Sequence, residues 1–167
     1  MRTILIGLGT IGQSYCQLLE NRKVDLLTNY GIDSKIVAVA DSKGVAINEK
    51  GINMAKLTTH ILDTSRGTPA NGVKINLYRK EGQNSVFIKT AETNSDGRCD
   101  EVLLSGKDFI LGCYELEFAV DEYFKANSVD CPFLRDVVVR FYITEGDGNY
   151  HVPLLISPFS YSTYRGS

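Results

Sequence analysis

The chain has 167 residues, of which 43% are hydrophobic and 23% charged, the balance of a folded globular protein with one ordinary domain or two small ones. Its formal net charge is −2 at pH 7 and it contains no basic run or stripe of lysine and arginine, so we expect no nucleic-acid partner. Every apolar run is far shorter than the ~20 residues that a membrane-spanning helix needs, so we expect no membrane partner and favour a small molecule.

The amino-terminal segment has the pattern of a β-α-β unit. Residues 3–7 form a short apolar strand candidate, and a helix is predicted after it because apolar side chains share one face from Tyr15 onward. Residues 35–40 are apolar nearly throughout, as parallel strands buried on both faces tend to be. We therefore predict a truncated Rossmann-like β-α-β unit over residues 1–57.

This unit carries a glycine pattern of the G-x-G-x-x-G type, formed by Gly7, Gly9 and Gly12. The pattern follows a predicted strand and opens a predicted helix, a context in which glycines let the backbone approach a pyrophosphate. Asp41 ends the second predicted strand, where a ribose-binding carboxylate would lie. These four residues are the candidate cofactor-binding residues.

The same segment resembles the start of a homoserine dehydrogenase, on three stretches of sequence. They are residues 7–12, Val39-Ala40-Asp41-Ser42 and Asn48-Glu49-Lys50-Gly51-Ile52-Asn53. The remaining parts of such an enzyme are missing, so we expect a structural or vestigial appendage and no dehydrogenase activity. Binding of NAD(P) by this unit is kept as a secondary hypothesis.

From Thr58 onward the sequence alternates with a period of two, which is typical of half-buried antiparallel strands. The clearest examples are residues 73–78 and 114–120. Turns are predicted between strand candidates at Asn71-Gly72, Asp96-Gly97 and Gly146-Asp147-Gly148. The alternation predicts a mainly β fold, a β-sandwich over residues 58–167.

Two further elements are predicted near the carboxyl end of this domain. A short helix is expected near residues 121–127, and residues 137–143 form a strand whose hairpin partner begins at Tyr150. Pro153 and Pro158 cannot donate to a ladder, so we expect that partner to be an edge strand or to carry a bulge.

The four cysteines are far apart in the sequence and form no C-x-x-C pair; they are Cys16, Cys99, Cys113 and Cys131. With only two histidines to help them, a metal site is not expected. Two disulfides are conceivable, but reduced and mostly buried cysteines are at least as economical an interpretation. No leader segment is recognised, and we predict a cytoplasmic location.

The two histidines, His60 and His151, lie near opposite ends of the β-rich segment, with Arg98 between them. An imidazole moves protons near neutral pH, and a guanidinium offers a rigid fork of donors to carbonyl and amide edges. Together they predict a site that adds water to a polar heterocycle. Taken singly, each histidine would be an ordinary surface or core residue, and Arg98 a solvated turn arginine.

These residues lie within four strings that resemble the 5-hydroxyisourate hydrolases, the enzymatic branch of the transthyretin-like proteins. The strings are Thr59-His60-Ile61-Leu62-Asp63, Asn94-Ser95-Asp96-Gly97-Arg98, Tyr150-His151-Val152-Pro153-Leu154-Leu155 and Ser160-Tyr161-Ser162-Thr163-Tyr164-Arg165-Gly166-Ser167. Four strings in the family's order form a more specific signal than any one of them. The resemblance runs from about Thr58 to the last residue.

The resemblance implies a transthyretin-like antiparallel β-sandwich that hydrolyses 5-hydroxyisourate, a purine-derived small molecule, without a cofactor. It also implies a homotetramer with active sites at the subunit interface. The implied catalytic residues are His60, Arg98, His151 and Ser167, and the implied substrate-binding residues are Tyr164, Arg165 and Gly166. Which histidine is the base stays open.

Two other functions are considered. A non-catalytic carrier like transthyretin would bind a hydrophobic ligand in the central channel between the dimers of the tetramer. Carriers of that branch lack the paired histidines and the Tyr-Arg-Gly-Ser ending that this chain has. A nicotinamide-binding protein would be built on the amino-terminal unit and would bind a dinucleotide tightly.

Overall fold

The computed structural model describes residues 1–7, 10–41, 44–47, 55–146 and 148–166. The chain divides into two compact units, Met1–Met54 and Ala55–Ser167. Within the described helices, none is long and apolar enough to cross a membrane.

The first unit is a small three-stranded sheet with one helix. Its elements are β1 (Arg2–Ile6), α1 (Thr10–Tyr30), β2 (Lys35–Asp41) and β3 (Gly44–Ile47). Strand β1 pairs with β2 in parallel, and β3 pairs with β2 antiparallel. A few buried side chains, including Cys16, Ile36 and Val39, form its core. The strand-helix-strand order is the one expected from the sequence, β3 was not foreseen, and the Rossmann-like assignment stays a prediction.

The second unit consists of two sheets with short helical segments. Its elements are β4 (Lys56–Asp63), β5 (Thr68–Pro69), β6 (Lys74–Glu81), β7 (Asn84–Glu92), β8 (Leu104–Ser105), a 3-10 helix (Gly106–Asp108), β9 (Gly112–Phe118), α2 (Val120–Ala126), β10 (Val137–Ile143), β11 (Tyr150–Ser157) and β12 (Ser160–Thr163). One sheet has the order β10-β9-β6-β7, and the other has the order β12-β11-β4-β5 with β8 also paired to β4. The predicted mainly β fold is confirmed for this unit.

The core contains side chains from both sheets. Leu57 and Ile61 of β4 and Leu77 and Leu116 of the other sheet are fully buried members of one cluster. Successive side chains of a strand point to opposite faces, so the residues of β4 that alternate with Leu57 and Ile61 point away from the core. The burial pattern of β4 shows this directly, with partly exposed and buried positions in strict alternation.

Three predictions about the strands are wrong: the β10–β11 hairpin, the edge position or bulge of β11, and a purely antiparallel sandwich. Strand β10 pairs with β9, whereas β11 belongs to the other sheet, so the two strands do not form a hairpin. Strand β11 is an inner strand between β12 and β4, and its pairing with β4 is parallel, so the sandwich is not purely antiparallel. The alternation that identifies each strand is local, but it does not encode the partner across the sheet.

The inner position of β11 is compatible with Pro153 because of where its backbone points. The carbonyl of Pro153 accepts a hydrogen bond of 2.8 Å from the hydroxyl of Thr163, at the end of the β12 ladder. In a strand, the nitrogen of a residue points to the same side as its carbonyl oxygen. The nitrogen of Pro153, which has no hydrogen to donate, therefore faces the end of β12, where the side chain of Thr163 takes the place of a backbone hydrogen bond. Pro158 lies beyond the end of β11. The predicted short helix is confirmed as α2, one residue earlier than expected.

Candidate active site

Strands β4 and β11 place the two histidines on one face of the five-stranded sheet. In the parallel register Thr58 lies opposite His151, and His60 lies opposite Pro153. His60 follows Thr58 by two residues and therefore projects from the same face, away from the core. Both histidines are partly buried. Two imidazoles far apart in the sequence thus become diagonal neighbours on adjacent strands.

A tight turn brings Arg98 beside His60. The side-chain oxygen of Asn94 accepts hydrogen bonds from the backbone N–H groups of Asp96 at 2.9 Å and Arg98 at 3.2 Å. The backbone N–H of Ile61 donates to the carbonyl of Gly97 at 2.9 Å, and His60 forms an isolated β-bridge with Arg98. The turn is therefore fixed internally by an asparagine and externally by the histidine-bearing strand.

The turn approaches β4 closely because residue 97 is a glycine. Gly97 has a φ of +70°, which side-chain-bearing residues rarely adopt. A Cβ at this position would overlap the carbonyl oxygen of Ile61 and would lie 3.2 Å from Cδ2 of His60. The sequence pattern Asp96-Gly97 was recognised as a turn, but this second requirement is visible only in the structure.

The carboxyl-terminal tail packs against His151. The backbone N–H of Gly166 donates to the carbonyl of His151 at 2.8 Å, and the two residues form an isolated β-bridge. A Cβ on Gly166 would lie only 2.6 Å from Cδ2 of the imidazole, so the approach requires a glycine. The tail therefore runs along the ring edge. Ser167 follows directly, but it lies outside the described residues.

Tyr164 and Arg165 are exposed, and the guanidinium of Arg165 lies near Tyr150 and Glu145. It lies 4.7 Å from the ring centre of Tyr150 and 3.6 Å from a carboxylate oxygen of Glu145. Tyr150 and His151 are consecutive strand residues, so their side chains lie on opposite faces. A pocket of about 280 Å³ adjoins Arg165 on the Tyr150 side. The structure thus groups Gly166 with the histidines, while substrate binding by Tyr164 and Arg165 stays a prediction.

Burial and nearby charge lower the pKa of both imidazoles, which favours their neutral form. Burial lowers the pKa of His151, and Arg98 and then His60 lower it further. Burial also lowers the pKa of His60, again with a smaller contribution from Arg98. Among the described residues, Arg98 makes no ion pair with a carboxylate, and its side chain is exposed. The site therefore combines two imidazoles of lowered pKa with a cation that no described carboxylate neutralises.

The sequence did not single out Thr58. Its hydroxyl oxygen lies 2.9 Å from Nδ1 of His151, directly across the β4–β11 pair. A signal was present, because Thr58 is two residues from His60 and shares its face, but its contact with His151 depends on a strand pairing that was not predicted.

Asp63, at the end of β4, is fully buried and is also a residue that the sequence did not single out. One of its oxygens accepts hydrogen bonds from Ser65, at 2.6 Å from the hydroxyl, and the other accepts one of 3.0 Å from the hydroxyl of Tyr123 on α2. The carboxylate therefore fixes the end of the histidine-bearing strand to the turn that follows it and to α2. It contacts neither histidine through these bonds.

The candidate cofactor residues belong to the first unit. Gly7 has a φ of +90°, and its N–H donates to the carbonyl of Ala40 at 2.6 Å. Gly12 lies in α1 and Asp41 ends β2, whereas Gly9 lies outside the described residues. No cluster of three or more potential metal ligands occurs among the residues that the structure describes.

A protein-family model described as the HIUase/Transthyretin family matches residues 57–166. The chain belongs to this family. A 5-hydroxyisourate hydrolase of Pseudomonas aeruginosa is 55% identical over 117 residues, which cover 68% of this chain and 93% of that protein. The family match lies within the second unit and includes no residue of the first.

Two solved structures are similar in both sequence and fold. The Klebsiella pneumoniae 5-hydroxyisourate hydrolase is 33% identical with a TM-score of 0.57, and the match covers 68% of this chain and all of that one. An (S)-allantoin synthase is 34% identical with a TM-score of 0.66 over 96% of this chain. The chain spans only 56% of the length of that synthase.

Proposed function

We propose that the chain hydrolyses 5-hydroxyisourate to 2-oxo-4-hydroxy-4-carboxy-5-ureidoimidazoline, a step of purine (urate) catabolism. The observation that carries the proposal is the pair of imidazoles on one sheet face, with the exposed guanidinium of Arg98 beside them. The named activity of the Pseudomonas aeruginosa relative, at 55% identity, supports the same reaction.

The proposed mechanism assigns a role to each group. His60 and His151 orient a water molecule and remove its proton as its oxygen bonds to a ring carbonyl carbon. Arg98 binds the planar ring and stabilises the negative charge that develops on the carbonyl oxygen. The ring C–N bond then breaks, and the imidazolium returns the proton to the departing nitrogen. Gly166 holds the tail against His151, and Ser167 is assigned a catalytic role by the family resemblance.

The proposed assembly is a homotetramer whose active sites lie at subunit interfaces and need no cofactor. The exposure of Tyr164 and Arg165 next to the site supports this proposal, since a neighbouring subunit would cover them. A strictly monomeric fraction should then be inactive. Gel filtration combined with an activity assay tests this, and full turnover by monomers would rule it out.

For the first unit we propose a Rossmann-like fragment that resembles the beginning of a homoserine dehydrogenase. The parallel β1–β2 pair and the left-handed backbone of Gly7 at the end of β1 support the fold assignment. We expect neither dehydrogenase activity nor a requirement for NAD(P). Titration of the intact chain with NAD(P)H, followed by fluorescence, tests the second expectation, and tight saturable binding would contradict it.

The hydrolase proposal is tested by generating 5-hydroxyisourate in situ with urate oxidase and following its ultraviolet decay. We expect the protein to accelerate the decay and the variants His151→Ala and Arg98→Ala to lose most of the acceleration, about 100-fold or more. Arg135→Ala is the matched control, because Arg135 is an equally exposed arginine whose partner is Asp121 on α2. Equal decay with and without the wild-type protein would refute the proposal.

A further inference from the structure

The hydrogen bond between Thr58 and His151 joins a hydroxyl to the inner nitrogen of a site imidazole. Oγ1 of Thr58 lies 2.9 Å from Nδ1, and the parallel register holds the two residues directly opposite each other. A hydroxyl can either donate to an imidazole nitrogen or accept from it. The two cases place the ring proton on different nitrogens and therefore leave different nitrogens able to act as a base.

The position of the hydroxyl decides between the two cases, given the proposed function. Oγ1 of Thr58 occupies Nδ1 at 2.9 Å, so a water molecule meets the ring at Nε2. A base at Nε2 needs the lone pair there, so the ring proton lies on Nδ1 and is donated to Oγ1. A neutral imidazole has one N–H and one lone pair. With the proton on Nδ1, the lone pair lies on Nε2.

The edge of the His151 ring that carries Cδ2 faces the tail, because a Cβ on Gly166 would lie 2.6 Å from this atom. Nε2 is bonded to Cδ2, so it lies beside the tail and is not the nitrogen that contacts Thr58. The charged and titratable groups that act on the ring are Arg98 and His60, and both belong to the proposed site.

We infer that Thr58 is a positioning residue, which holds the ring proton on Nδ1 of His151 and so presents Nε2 as the nitrogen that takes the proton from water. This inference rests on the proposed function. In the step itself Nε2 accepts a proton from water while the water oxygen bonds to the ring carbonyl carbon. The C–N bond then breaks, and the same proton passes from Nε2 to the departing nitrogen.

Three variants of neighbouring residues on β4 test the inference. Thr58→Val removes the hydroxyl and keeps the branched shape, and Thr58→Ser keeps the hydroxyl. Thr59→Val is the matched control, since Thr59 donates a 2.7 Å hydrogen bond to the carbonyl of Val152 on the same β11 but projects from the opposite face. Thr59→Val should lower the melting temperature without changing the imidazoles.

The first readout is the nitrogen NMR spectrum of histidine-labelled protein, in which protonated and unprotonated ring nitrogens resonate far apart. The chain has only two histidines, so a His60→Asn variant assigns both sets of signals. We expect Nδ1 of His151 to be protonated in the wild type and in Thr58→Ser, and a mixture of tautomers in Thr58→Val. A wild-type ring protonated on Nε2, or an unchanged spectrum in Thr58→Val, would overturn the inference.

The second readout is the split between kcat and KM for 5-hydroxyisourate. Thr58→Val should lower kcat by about 10- to 100-fold with little change in KM, because substrate binding does not involve this hydroxyl. Thr58→Ser should recover most of that loss, and no recovery would point to shape alone and overturn the inference. If the wild type fails to hydrolyse the substrate but has the expected tautomer, the proposed function falls and the Thr58 assignment stands.

Discussion

Replacement of Gly97 by alanine separates the conformation of the Arg98 turn from its contact with β4. The φ of +70° makes any side chain costly, by about 1–2 kcal/mol. The added Cβ would also overlap the carbonyl oxygen of Ile61, an atom of the backbone that cannot rotate away. The turn must therefore move outward, which weakens the Ile61 to Gly97 hydrogen bond and costs about 1 kcal/mol more.

The matched control is Gly82→Ala in the turn between β6 and β7. Gly82 has a φ of +64°, and nothing lies within 4 Å of a Cβ built there, so its substitution imposes the strain without the overlap. We expect a loss of unfolding free energy of about 2–3 kcal/mol for Gly97→Ala and about 1–2 kcal/mol for Gly82→Ala. Urea unfolding monitored by circular dichroism measures both.

The two variants should differ more clearly in activity than in stability. An outward shift of the turn displaces Arg98 relative to His60, and misplacement by about 1 Å lowers a rate by roughly 100-fold. We therefore expect kcat/KM for 5-hydroxyisourate to fall by about 10- to 100-fold in Gly97→Ala and to stay near the wild-type value in Gly82→Ala. Equal kcat/KM in the two variants would refute the argument that close packing of this turn positions Arg98.

The remaining predictions concern the charge of the site, the buried carboxylate and the first unit. Because burial and Arg98 lower the pKa of both histidines below 6.5, kcat/KM should be level near pH 7 and fall only below pH 6.5; a fall beginning above that value would contradict the assignment. Arg98→Gln should move this acid limb to higher pH, toward 6.5, in the activity that remains, and an unmoved limb would count against the charge effect. Tyr123→Phe removes a partner of the buried Asp63 and should cost about 1–3 kcal/mol in urea unfolding while kcat is retained; unchanged stability would show that this bond is not needed. A chain that begins at Ala55 should keep its specific activity, since the Pseudomonas aeruginosa relative matches over 117 residues that cover 93% of its own length; loss of activity in a folded protein would assign the first unit a role.

The sequence predicted the parts of the fold that depend on local patterns. Alternation over residues 73–78 and 114–120 predicted two strands, and the structure forms β6 and β9 there. Pairing between distant strands leaves no such local pattern in the sequence. For that reason β11 was predicted to pair with β10 in a hairpin and to be an edge strand or carry a bulge, whereas it lies inside the other sheet.

The same limit applies to the candidate site. Residue types and family strings identified His60, Arg98 and His151, and the structure brings them together through the β4–β11 pair and the Asn94 turn. Thr58 was missed because its partner is 93 residues away in the sequence. The direction of Arg165, toward Glu145, follows from the register of the tail on β11, which composition and spacing do not specify.

Whether the imidazoles of His60 and His151 hydrolyse 5-hydroxyisourate is measured by the initial rate of substrate decay as a function of substrate and protein concentration. We expect a decay that saturates with substrate, scales with protein and is abolished in a folded His60→Asn, His151→Asn double variant. Decay that is no faster than in buffer, or saturable decay that persists in the double variant, would contradict it.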